Sequence, residues 1–140
     1  MNTNALKRFA REARIKLIDQ VGRKLEFVLS NTDPVFIDTN ATQIQSLKNK
    51  IQALGKEQVV DTVAYTWFNR LMALRFMDAN GYTSPKVVTP VVGKSPEILQ
   101  NALSGQIDEN LKINRQRLND LLDGKVVIAD SQTEAYKMLL

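Results

Sequence analysis

The stretch VAYTWFNRLMALRFMDANGY, Val63 to Tyr82, constrains the fold more than any other part of the chain. It holds the only Trp, two of the five Phe and two of the three Tyr. Its charged residues are Arg70, Arg75 and Asp78 alone. The periodicity predicts a helix from about Glu57 to Ala79, closed by Asn80-Gly81. On a wheel with Val60 at zero and about 100° per residue, Val60, Val63, Ala64, Trp67, Phe68, Leu71 and Leu74 fall between about 300° and 80°. That is a core stripe, which places Trp67 and Phe68 in the interior. A solvated opposite face would be charged. Here it carries Thr62, Tyr65, Thr66, Asn69, Ala73 and Phe76, with Arg70 and Arg75 only on the flanks. Small, aromatic and uncharged residues suit contact with protein. Either residues 83–140 cover this face or a partner domain does.

The other elements follow from spacing and turn chemistry. Leu6, Phe9, Ala10, Ala13, Leu17, Val21, Leu25 and Val28 recur at steps of three and four, predicting a helix over residues 4–29 behind Asn2 or Thr3 as N-cap. Gly22 weakens its middle by about 1 kcal/mol relative to Ala. Turn formers fill Ser30 to Thr42, and Asp33-Pro34 reads as a helix stop. Ile44, Leu47, Ile51 and Leu54 mark a second helix ending at Gly55. Thr83 to Lys94 holds two prolines and two Val pairs, so residues 83–94 read as an extended connector or at most a short edge strand. Ser95-Pro96-Glu97 starts a short helix that ends near Gly105. Asp108 starts another, with Leu111, Leu118, Leu121 and Leu122 on one side and Gly124 as its stop. Residues 125–129 read as extended, and Asp130 or Ser131 caps a last helix. The expectation is a mostly α fold, one domain over residues 1–140 with about six helices. The final helix runs to Met138-Leu139-Leu140 without a polar tail, so either its last turn packs inward or the chain is a piece cut from a longer protein.

Cys and His are both absent. That removes disulfides, thiolate nucleophiles, imidazole bases, Ser-His-Asp triads and zinc sites of the usual type. The remaining carboxylate, Lys and Tyr chemistry forms no recognisable constellation. No metal site, cofactor site or catalytic residue is expected within the chain. No apolar run is long enough to span a membrane, and the N-terminus has no signal-peptide core. A cytoplasmic location fits.

The net charge of +4 lies entirely in residues 1–30, where seven basic side chains meet three acidic ones. Arg8, Glu12 and Lys16 form an i, i+4 ladder and Asp19-Arg23 another pair, as on a solvated face. Lys7, Arg11 and Arg14 remain, at i, i+4 and i+7 and without acidic partners. They are DNA-contact candidates, since cations along one stripe can neutralise phosphates; the alternative is a solubility face. Lys112, Arg115 and Arg117 form a weaker cluster of the same kind. No aromatic side chains interleave with either, so stacking on single strands is not supported.

The aromatic stretch resembles a segment near the start of the PglX family, the adenine-specific DNA methyltransferases of bacterial BREX phage-defence systems. Those proteins carry a similar AYTWFNR…ALRFMD segment. MNTNALKRFAREARIKLIDQVGRKL looks like their opening, and AYKMLL like the helix leading toward their catalytic region. The resemblance covers nearly all 140 residues in order. It implies the N-terminal domain of a much longer enzyme that binds S-adenosylmethionine and uses an N-P-P-Y motif on a flipped adenine. This chain has no N-P-P-Y and no Gly-rich cofactor turn; Asn80-Gly81-Tyr82 is a helix stop. The family's catalytic residues therefore map to no position here. The implied role is to position DNA or to brace the catalytic domain, and the implied partners are DNA, that domain and other phage-defence proteins. Thr62, Tyr65, Thr66, Asn69, Ala73 and Phe76 are then the domain-interface candidates. The alternative is a free-standing helical interaction or regulatory module with no nucleic-acid role. A reading frame that continues past Leu140 to N-P-P-Y separates the first reading from the second.

Overall fold

A computed structural model describes residues 3–90, 93 and 95–140. Among them are seven helices and no strand: α1 (Thr3–Ser30), α2 (Pro34–Thr39), α3 (Ala41–Leu54), α4 (Lys56–Ala79), α5 (Glu97–Leu103), α6 (Arg115–Leu122) and α7 (Ser131–Leu139). The mostly α expectation holds, and α1, α3 and α4 lie where periodicity places them. The proposed cap Asn2 and the connector residues Val91, Val92 and Lys94 lie outside the described residues. An isolated bridge between Pro90 and Pro96 is the extent of β pairing among the described residues.

Three expectations fail locally. Pro34 opens α2 rather than stopping a helix, because a first-turn residue needs no N–H. The Asp33 carboxylate caps it, accepting from Val35 N at 3.0 Å. That adds a seventh helix to the expected six. Asp108 does not start a helix; its Oδ1 accepts from Asn110 N at 2.8 Å in a local turn. Asn114 caps α6 instead, accepting from Arg117 N at 3.0 Å. α5 starts at Glu97, with Pro96 ahead of it and no side-chain cap. The Glu97 carboxylate is turned to the connector, where it accepts from Lys86 N at 2.8 Å.

The chain divides into two compact units, Met1–Arg70 and Leu71–Leu140. In the first, the buried apolar residues among those described are Leu25, Val59, Val60 and Ala64. Arg14 bonds Asp61 at 2.9 Å and Lys56 pairs with Glu26, tying α1 to α4 at two points. Phe27 meets Phe36 edge to face at 6.0 Å, holding α2 against the end of α1. The second unit is better filled. Ile98, Leu99, Ala102, Leu118, Leu121, Ala135 and Leu139 form one buried cluster from α5, α6 and α7. Val87, Ile107 and Leu111 pack on it from the connectors. The expected extended residues 125–129 form no strand, and Val127 is almost wholly exposed.

Candidate interaction surfaces

α4 carries apolar side chains round its whole circumference, as the sequence predicts. All six interface candidates, Thr62, Tyr65, Thr66, Asn69, Ala73 and Phe76, are exposed, Tyr65 by 64% and Phe76 by 61%. The Thr66 hydroxyl is satisfied on the helix itself, donating to Thr62 O at 2.9 Å. Phe76 lies edge-on to Tyr82 at 6.2 Å, an exposed aromatic pair. The core stripe is only partly realised. Val60 and Ala64 are buried and Phe68 is half-buried, but Trp67 is 40% exposed. Trp67 is therefore not a core residue. Its ring lines an open hollow with Val21, Lys24, Val28 and Val63, and the Arg70 guanidinium sits 5.7 Å from its centroid.

The cationic stripe on α1 is altered at one position. Lys7, Arg11 and Arg14 are all exposed, but Arg14 is not without an acidic partner. Asp61 holds it, and the hydrogen bond and the charge raise the Arg14 pKa further above its ordinary value. Glu12 engages Arg8 at 4.0 Å and Asp19 engages Arg23, as the spacing predicts, whereas Lys16, the third member of the expected ladder, shows no ion pair among the described residues. Lys7 and Arg11 are the members without an ion pair among the described residues. The second cluster is divided between an irregular segment and α6. Lys112 precedes α6 in an irregular segment, while Arg115 is half-buried and donates through Nη2 to Asp108 O at 2.6 Å. Arg117 is exposed.

Asp78 is the residue that sequence reasoning missed. It is 2% exposed, near the C-terminus of α4. Its Oδ1 accepts from Thr83 Oγ1 at 2.5 Å and Val87 N at 2.9 Å. Its Oδ2 accepts from Val88 N at 2.9 Å, Thr89 N at 2.8 Å and Thr89 Oγ1 at 2.8 Å. Burial pushes this carboxyl up, but the hydrogen bonds from Thr83, Val87, Val88 and Thr89 outweigh it and hold the pKa well below the usual range. Tyr136 Oη donates to Val87 O at 2.8 Å and Ile98 N to Lys86 O at 3.0 Å. The first connector is thus fastened to α4, α5 and α7. Under it lies a cavity of about 560 Å³ whose lining includes Pro85, Ile98, Asn101, Gln106 and Leu139.

Among the described residues, no group of three carboxylates is placed to hold a metal ion, and no helix is long and apolar enough to cross a membrane. No family model matches the chain, and no solved structure does. Two curated proteins do. The adenine-specific methyltransferase PglX of Lacticaseibacillus casei is 28% identical over 79% of this chain. The adenine-specific methyltransferase BrxX of Escherichia coli is 29% identical over 59% of it. The chain is PglX/BrxX-like. It spans about a tenth of these relatives, 12% of PglX and 8% of BrxX. The resemblance carried by the aromatic stretch is borne out.

Proposed function

We propose that the chain is the helical N-terminal domain of a BREX-type adenine-N6 DNA methyltransferase, acting in host-DNA modification and phage defence in the cytoplasm. The parent's catalytic domain supplies the S-adenosylmethionine site and the chemistry. This domain supplies none; it braces the catalytic domain and presents Lys7 and Arg11 of α1 to DNA phosphates. The observation that carries the reading is the state of the first unit. Among its described residues the buried apolar ones are Leu25, Val59, Val60 and Ala64 alone, while Leu6, Phe9, Ile15, Tyr65 and Trp67 stay exposed. So thin a core, with large apolar side chains left outside it, supports a unit that is completed by contact with further protein. Likeness to two adenine-specific methyltransferases supports the parent's identity.

The test pairs this chain with the full-length enzyme. Calorimetry with S-adenosylmethionine should give no saturable heat for the 140-residue chain and micromolar binding for the parent. Deleting these residues from the parent should reduce methylation and DNA affinity together. Saturable binding by the chain alone, or full activity without it, overturns the reading.

A further inference from the structure

The hollow beside Trp67 is one end of a longer groove in the first unit. A cavity of about 210 Å³ is lined by α1, α3 and α4 through Val21, Leu25, Leu47, Val59, Val63 and Trp67. A second, of about 420 Å³, shares Leu47, Val59 and Val63 and extends along α3 past Thr42, Ser46 and Lys50. Val59, Val63 and Trp67 stand at i, i+4 and i+8 on α4. They form an apolar seam of about 12 Å at 1.5 Å rise per residue, with Val59 buried at its floor and Val63 and Trp67 exposed along it. Three helices already wall the groove. A seam of this length accepts two to three turns of a further helix, in the way amphipathic helices seat apolar anchors at i, i+3/i+4 and i+7.

The charges say which helix. Lys24 on α1 and Lys50 on α3 are the charged lining residues, and no carboxylate lines either cavity. Lys24 Nζ rests 4.7 Å from the Phe27 centroid, and neither Lys is in an ion pair among the described residues. Four of the five carboxylates of α1 and α4 in this unit are already engaged: Glu12 by Arg8, Asp19 by Arg23, Glu26 by Lys56 and Asp61 by Arg14. We propose that the α1–α3–α4 groove docks an amphipathic helix of another polypeptide, with an apolar stripe against Val59, Val63 and Trp67 and acidic residues on both flanks facing Lys24 and Lys50. A second copy of this chain fits poorly, because its α1 would bring cations to a cationic rim. Duplex DNA fits poorly too, because the floor is apolar and phosphate stays hydrated. The inference concerns the face of α4 that carries Trp67, not Tyr65 and Phe76, and stands whether or not the parent is a methyltransferase.

Trp67 is the chain's only Trp, so its emission reads occupancy directly. The probe is a synthetic helical peptide of about 14 residues with Leu at i, i+3/i+4 and i+7 and Glu on both flanks. Titrated into the 140-residue chain, it should move Trp67 emission to the blue and saturate in the micromolar range. Lys24→Glu combined with Lys50→Glu should weaken that peptide about tenfold and improve binding of a Lys-flanked version by a similar factor. Recovered binding of the Lys-flanked peptide also shows that the double variant is folded. Val63→Asp should abolish the blue shift. Equal affinity for Glu- and Lys-flanked peptides overturns the proposal. So does a blue shift caused by a short DNA duplex, or by self-association on raising the chain concentration, with none from the acidic peptide.

Discussion

Replacing Asp78 by Ala tests whether one buried carboxylate organises the second unit. The carboxylate takes three backbone N–H groups, from Val87, Val88 and Thr89, and two hydroxyls, from Thr83 and Thr89. The hydroxyls can turn to other acceptors; the three N–H groups cannot. A buried donor left without an acceptor costs about 1–3 kcal/mol, and this connector is half-buried, so water relieves part of it. The expected loss is about 3–5 kcal/mol, a large share of a domain's usual 5–15 kcal/mol. Urea unfolding of wild type and variant measures it. Hydrogen exchange at Val87, Val88 and Thr89 locates it, and those amides should exchange fastest in the variant. The pH dependence supplies the sign. The folded pKa of Asp78 is depressed, so its stabilisation is complete above the unfolded carboxylate value of about 4 and disappears as pH falls toward the folded one. Asp78→Asn should therefore flatten the loss of stability below about pH 4. A loss under about 1 kcal/mol with protected amides would show that the connector is held by its apolar contacts and that the carboxylate is incidental.

Three further outcomes follow from the exposures. Trp67→Ala should cost only about 1–2 kcal/mol in chemical unfolding of the isolated chain, because 40% of the residue is already in water; a loss above about 3 kcal/mol would mean the hollow beside it is closed in solution. Thr66→Glu and Ala73→Glu should shift the stability of the 140-residue chain by less than about 0.5 kcal/mol, yet loosen the domain contact in a full-length parent, where they would bury an unpaired charge; unfolding of the isolated chain by either would refute the exposed-face reading. Lys7→Gln with Arg11→Gln should weaken DNA binding by the parent and reduce its salt slope by about two, while Arg14→Gln should add little because Asp61 already holds it; an unchanged salt slope in the double variant makes α1 a solvated face.

Sequence alone resolved what repeats along one helix. The steps of three and four place α1 and α4 to within a residue of their ends, and α3 at its C-terminal end, while its start at Ala41 lies three residues ahead of the first periodic residue, Ile44. The i, i+4 pairs Arg8-Glu12 and Asp19-Arg23 were equally legible. What joins distant segments was not. The donors to Asp78 lie 5 to 11 residues downstream in an irregular connector without periodicity, so a lone acid on an apolar helix gave no signal. Arg14 looked unpaired because its acid, Asp61, lies 47 residues away. Asp108 and Asn114 each accept from a backbone N–H shortly downstream, so the side chain alone does not mark which of the two a helix follows. Pro34 misled for a related reason: Pro forbids a helix interior but favours its first turn.

The wheel of α4 failed at Trp67 in a more instructive way. A wheel assigns a residue to a face; whether the face is covered depends on the volume that neighbouring helices can supply. In the second unit α5, α6 and α7 each send residues to one cluster, and Leu118 and Ala135 become fully inaccessible. In the first unit α1 supplies Leu25, and α3 supplies Leu47 without burying it. The residues on the two faces of α4 are similar in chemistry, so composition could not tell the half-covered seam at Val59, Val63 and Trp67 from the uncovered face at Tyr65 and Phe76. Rim charge separates them. Lys24 and Lys50 border the first, whereas the second is uncharged apart from its flanks. A charged rim selects an occupant by sign and register, and an uncharged face of Thr, Ala and aromatics selects by shape alone. On the two proposals, the first meets a partner that must be chosen among others, and the second a domain held at high effective concentration within one chain.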